Sequence, residues 1–307
     1  MKGLELARAY YEAYGKPMLE RDFAPCLDRI AVGLCGHGSE CFGFDDERSR
    51  DHDFEPGFCL WLTDEDEREF GFKLFRAYSK LPKEFMGVKV EKKSLFGADS
   101  RGVQTISDFY RRYTGSDGAP SSNEQWLAIP SFYLAEATNG EVFCDPLGEF
   151  SRIREQILCG MPEDVRLKKL ASSLFCAAQY GQYNYARCIA HGETAAAACA
   201  LADFAKSVCE TVFLLNRAHM PYYKWMFRAM RALPRLSSLA DELEALLRAP
   251  YAAKENTARI ERIAAALAAA LIGDGLSEDA GDYLEGYAYS VKNHIKDNHL
   301  RNSDVML

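Results

Sequence analysis

The feature that most constrains the fold is a change of pattern at Pro162. Beyond it strand signals vanish, and Ala-rich helical periodicity continues to about residue 298. The spacing predicts helices over roughly 164–180, 194–216, 221–232, 238–248, 255–272 and 280–297. In the segment 255–272, Ile260, Ile263, Ala264, Leu267 and Leu271 fall on one face. Helices that are apolar on one side only must bury that side against each other, so this half is expected to form a bundle.

Before Pro162 the pattern is mixed. Ala31–Cys35 is a short apolar run that stops at a glycine cluster, which reads as a buried strand. Phe54–Leu62 is a second strand, with Phe58, Leu60 and Leu62 on one face and Cys59 and Trp61 on the other. Apolar residues on both faces mark a central strand. Further strands are expected at Val88–Glu91, Val103–Ile106 and Val142–Cys144. Helices are expected over 4–14, from Pro17 to Asp28, from a Thr63 cap to Pro82, from Asp108, from Trp126, and over Phe150–Leu158. The fold class is therefore α+β. A mixed sheet flanked by helices should occupy residues 1–155, and a helical bundle 156–307.

Composition narrows the partners. The net charge of -8 repels phosphate backbones, so long nucleic acid is a poor partner. The N-terminal stretch is amphipathic and interrupted by charge, unlike a signal peptide or membrane span. The ten cysteines include no C-x-x-C pair and mostly sit in apolar runs. That usage predicts a cytoplasmic protein with reduced, mostly buried thiols. Residues 302–307 are the one stretch expected to be disordered.

The chemistry concentrates in one stretch. Gly36-His37-Gly38-Ser39 follows the first strand, and Asp51-His52-Asp53 precedes the second. A Gly-Ser turn offers backbone N–H groups and a hydroxyl to an anion. Two acids at i and i+2 on an extended chain share a face, and oxygen ligands of that kind suit Mg²⁺ or Mn²⁺. A metal held there could bridge to a triphosphate resting on the turn.

G-x-G-S followed about a dozen residues later by D-x-D resembles the polymerase-beta-like nucleotidyltransferase superfamily, which includes the kanamycin and streptomycin nucleotidyltransferases. The nearer resemblance is to an uncharacterised bacterial family of nucleotidyltransferase-like proteins, known only as a domain of unknown function. It is carried by GSECFGFDDERSRDHDFEP, GEVFCDPLGEFSRIRE, QYGQYNYARC and VFLLNRAHMPYYKWMFRAM, which lie within about residues 30–235. The resemblance implies that Gly38 and Ser39 bind nucleotide phosphate, with Arg50 and Lys224 as further phosphate contacts. It implies that Asp51 and Asp53 bind Mg²⁺ or Mn²⁺ and carry catalysis, with an NTP, ATP by expectation, as co-substrate. By analogy with the antibiotic enzymes, Gln182, Asn184, Tyr222 and Trp225 would line the acceptor side.

The sequence departs from the superfamily at one place. A third carboxylate is expected on a later strand, and Gln104 stands there; Glu91 is the nearest alternative acid. The leading expectation is transfer of a nucleoside monophosphate from an NTP to a hydroxyl of a small molecule or protein. The alternative, motivated by Gln104, is a catalytically weak nucleotide-binding sensor or regulatory protein.

Overall fold

The structure, a computed structural model, describes residues 1–48, 54–90 and 101–307. The chain forms two compact units. One comprises residues 1–121 and 133–160, the other 122–132 and 161–307. A single cut at 155 does not capture this, because residues 122–132 pack with the helical unit although they precede the last strand.

The first unit begins with a helix. Gly3–Tyr10 (α1) runs through one wide π-type turn, Tyr11–Gly15, into Lys16–Asp22 (α2). The wide turn lies just ahead of Pro17, which has no amide to give the helix. The two helices expected here are thus joined end to end. The stretch reaching toward Asp28 is a separate 3₁₀ turn, Ala24–Arg29.

Ala31–Leu34 (β1) and Cys59–Leu62 (β2) pair antiparallel, with Val32 opposite Leu60. β2 is shorter than the apolar run suggested. The Thr63 hydroxyl accepts the Asp66 amide and caps the turn Asp64–Asp66 (α3), which leads into Phe72–Tyr78 (α4). Acids in that first turn suit the helix dipole. Glu84–Phe85 (β3) and Val88–Lys89 (β4) form a separate two-stranded hairpin, so Val88 does not begin a strand of the main sheet.

Gly102–Thr105 (β5) lies parallel to β2 and leads directly into Ile106–Thr114 (α5). The N-cap of α5 is Thr105, whose hydroxyl accepts the Asp108 amide at 3.0 Å; Asp108 sits inside the first turn rather than opening the helix. In chain order, Asn123–Ala128 (α6), which belongs to the second unit, and Ser131–Thr138 (α7) come next. The latter was not anticipated from sequence. Glu141–Cys144 (β6) and Glu149–Cys159 (α8) complete the first unit. The mixed sheet has the order β5-β2-β1-β6.

Both central strands are buried on both faces, as their composition requires. On one face Val32, Phe58, Leu60 and Leu62 pack with Tyr10, Phe23, Phe70 and Leu74. On the other, Trp61 stacks on Phe150 at 3.9 Å, with Phe109 edge-on at 5.5 Å. Offset and edge-on aromatic pairs add to the area they bury.

The second unit is helical. Glu163–Ala177 (α9) continues through a π-type segment, Ala178–Tyr185, into Ala186–Ala190 (α10). Thr194–Leu215 (α11) packs on α9. Met226–Met230 (α12), Leu239–Arg248 (α13), Glu255–Gly273 (α14), Leu284–Asn293 (α15) and Asn298–Asn302 (α16) follow. The expected disorder after Asn302 is overturned. Val305 is buried, the Leu307 amide donates to Ser172 Oγ at 3.1 Å, and Lys168 Nζ donates to the Asp304 carbonyl. A buried lysine needs such an acceptor, and the tail supplies it.

All ten cysteines are free thiols. Four are buried, but Cys144, Cys159 and Cys199 are exposed, which corrects the expectation of mostly buried thiols. Cys159 and Cys199 lie on the solvent side of the amphipathic helices α8 and α11, and Cys144 ends the edge strand β6. Among the described residues, no helix is long and apolar enough to cross a membrane.

Candidate functional site

The sheet topology gathers three chain segments at one end. β1 runs antiparallel to β2, so the turn that leaves Leu34 lies at the end where residues 54–58 enter β2. β5 is parallel to β2, so Arg101 enters β5 at that same end.

The glycine turn is held from two sides. Gly36 and Gly38 have φ of +117° and +119°, which side-chain-bearing residues rarely adopt. The Asn139 side chain clamps Gly36, accepting its amide at 2.8 Å and donating to its carbonyl at 2.6 Å. Gly140 donates to the Cys41 carbonyl at 2.8 Å and lies so close to β1 that an added Cβ would meet the Leu34 carbonyl at 2.0 Å. Beyond the clamp, the amides of Gly38 and Ser39 donate to no acceptor among the described residues. Ser39 then starts the 3₁₀ turn Glu40–Phe42.

A charged cluster sits against this turn. The Arg101 guanidinium reaches Glu40 at 3.1 Å and Glu55 at 3.6 Å, and also donates to the Glu55 carbonyl at 2.7 Å. Its side chain is only 7% exposed, so its charge acts in a medium where solvent screens little. The Glu40 carboxylate lies beside Gly38, 2.6 Å from where a Cβ would be. Arg101 and Glu55 also line a cavity of about 870 Å³ in this unit, together with Tyr78, Gln104, Asp108 and Arg112. Such a volume is within the range of small-molecule sites. Gly38 and Ser39 are not part of its lining; Arg101 links the two features.

A third carboxyl, Glu136, sits one helical turn before the Asn139 clamp. Burial pushes it up to about 7. It bears on Tyr113, whose hydroxyl is raised by its own burial and by the Glu136 charge and meets the backbone of His37. That hydroxyl lies 2.7 Å from where a Cβ on Gly36 would fall. Beneath the turn, burial pushes the thiols of Cys35 and Cys41 up and that of Cys59 to about 11. They stay protonated at neutral pH and are poor nucleophiles.

The residues expected from sequence fare differently. Gly38 and Ser39 form the turn just described. Arg50, Asp51, Asp53 and Glu91 lie outside the described residues. Gln104 occupies β5 opposite Trp61 and accepts a long bond from Arg112 at 3.4 Å. Among the described residues, no group of three or more His, Cys, Asp or Glu side chains converges to hold a metal. Glu40, beside the turn, and Glu55 are hard oxygens of the kind Mg²⁺ prefers, but both already face Arg101.

In the helical unit, Gln182 lies within a π-type helical segment, not a helix break. Its amide donates to Glu261 and to the Asp282 carbonyl at 2.8 Å each and accepts the Leu284 amide at 2.9 Å. Those bonds tie α14 and α15 to the π segment, so the side chain is committed to structure. Asn184 is partly exposed beside it. Tyr222, Lys224 and Trp225 occupy the link between α11 and α12, where Lys224 is exposed and Tyr222 packs edge-on against Phe132 at 5.5 Å. Sequence reasoning missed Glu40, Glu55, Arg101, Glu136 and Asn139. Of these, Glu40 carried a cue in its place directly after Gly-Ser, and Asn139 in the Asn139-Gly140 pair that reads as a turn.

A family described as "Domain of unknown function (DUF4037)" matches residues 126–226. The matched stretch includes the Asn139-Gly140 clamp, Glu136 and most of the long helices, but neither Gly38-Ser39 nor Asp51-Asp53. No curated protein and no solved structure matches the chain.

Proposed function

We propose that this protein is a Mg²⁺-dependent nucleotidyltransferase, moving a nucleoside monophosphate from an NTP, ATP first among them, to a hydroxyl of a small molecule or protein. One observation carries the reading. A clamped glycine turn, with two amides that find no acceptor among the described residues, sits at the end of the sheet where the chain enters β2, a few residues after a D-x-D sequence. The Gly38 and Ser39 amides and the Ser39 hydroxyl hold triphosphate oxygens. Arg101, nearly buried and fixed by two carboxylates, sets the local field. Asp51 and Asp53 would hold Mg²⁺, which would supply positive charge for the triphosphate. Glu136, whose carboxyl titrates near neutrality, takes the acceptor proton.

The test is pyrophosphate release from labelled NTPs with a panel of hydroxylated acceptors, for the native protein and for Asp51→Ala and Ser39→Ala. Loss of release in Asp51→Ala is expected. Release that survives it refutes the metal assignment.

A second reading is a nucleotide-binding sensor without efficient turnover. It is favoured by Gln104, a neutral amide lining the cavity where a carboxylate was expected. Calorimetry that finds tight NTP binding with no turnover selects it, and failure of every nucleotide to bind removes both.

A further inference from the structure

The helical unit has its own cavity, of about 440 Å³, lined mostly by apolar groups. Three charged side chains line it: Lys169 on α9, and Glu210 and Lys206 on α11. Lys206 is exposed and already paired with Asp203 at 3.1 Å, which leaves Lys169 and Glu210 as the inner charges. They make no direct ion pair. Lys169 is 7% exposed, and its ammonium donates to the Ile129 carbonyl at 2.8 Å. Glu210 accepts the hydroxyl of Ser131, itself 8% exposed, at 2.6 Å through one oxygen. Each charged group thus has one neutral partner and spare hydrogen-bonding capacity.

Desolvation lowers the Lys169 ammonium and raises the Glu210 carboxyl, each partly offset by the other's charge. A nearly buried ammonium facing a partly buried carboxylate without direct pairing is costly to keep, and a fold that needed only packing there would do better with apolar side chains. The arrangement suits a ligand that brings both missing partners at once.

We propose that this cavity binds a small zwitterion, a free α-amino acid with an apolar side chain. Its carboxylate faces Lys169 and its ammonium faces Glu210. Ile129, Phe132 and Met220 line the open, apolar face against which its side chain lies. The volume lies within the range of small-ligand sites and admits a molecule of that size. The site is independent of the nucleotide reading, since every lining residue belongs to the helical unit.

The experiment is thermal unfolding and calorimetry of the full chain with L-leucine, L-methionine and L-phenylalanine. Leucinamide, which lacks the carboxylate, and 4-methylpentanoic acid, which lacks the ammonium, are the matched controls. At about a hundredfold excess over Kd, the preferred amino acid is expected to raise the melting temperature by about 5 °C, while both controls bind at least tenfold more weakly. Glu210→Gln, isosteric and uncharged, is expected to abolish binding while keeping the unliganded far-UV spectrum. Lys169→Met is expected to do the same; if it fails to fold, Glu210→Gln decides. Failure of all three amino acids to bind overturns the proposal and leaves a structural pair bridged by water. So does binding that Glu210→Gln leaves intact, or equal binding of leucinamide and leucine.

Discussion

Glu136 offers a sharp test of how the sheet unit handles charge. Its carboxyl is half-buried on α7, and burial alone raises it from an ordinary 4.5 to about 7. The native state therefore holds a proton that the unfolded chain has released between those two values. Stability must fall as pH rises through that window. At about 1.36 kcal/mol per pH unit, the full effect above pH 8 would be about 3 kcal/mol. The group is partly open to water, so screening reduces this to about 1–2 kcal/mol. Glu136→Gln mimics the neutral acid and removes the penalty. In urea unfolding the variant should exceed the native protein by about 1–2 kcal/mol at pH 8.5 and match it closely at pH 5. A ¹³C-detected titration of the Glu136 carboxyl should show the midpoint near neutrality. A gain of the same size at both pH values, or a carboxyl titrating near 4.5, refutes the reasoning. The same substitution should slow any nucleotidyl transfer most strongly above pH 7, where the native carboxyl is ionised and can accept a proton, and least at pH 5.

Other consequences follow from the turn and the core. Asn139→Leu removes both bonds to the backbone of buried Gly36 and strands its amide and carbonyl, so urea unfolding should show a loss of about 2–4 kcal/mol. Nucleotide binding, measured by calorimetry on the folded fraction, should weaken with it. Gly140→Ala places a methyl against the Leu34 carbonyl at a φ of +69°, and a loss of about 3 kcal/mol or poor soluble yield is expected. Trp61→Ala empties the space between β2 and Phe150 and should cost about 3–5 kcal/mol by the same assay; Trp61→Phe should cost much less.

The sequence determined a good deal alone. Two-sided apolar runs put β1 and β2 at the centre of the sheet, because a strand without a polar face cannot meet water. The break at Pro162 and the 3.6-residue periodicity beyond it dictated helices, because each must bury one stripe. Gly36 and Gly38 marked a turn because only glycine enters their φ range at no steric cost. Helix joints were harder to read. Pro17 and Gly181 look like breaks, yet π-type turns carry the chain past both, since a wider turn tolerates a missing amide or a small residue that periodicity alone rejects.

What tertiary structure decided was the set of neighbours. Asn139 meets Gly36 across 103 positions, and Arg101 meets Glu40 across 61. No local pattern announces such pairs, because strand order and register create them. The same holds for Lys169 and Glu210, which are ordinary charged letters in helical runs. Only the packing of α9 against α11 takes Lys169 almost wholly and Glu210 partly out of water and turns two helix residues into the walls of a cavity. Local propensity is a property of the chain; desolvation and charge pairing belong to the folded volume, and the chemistry of this protein lies there.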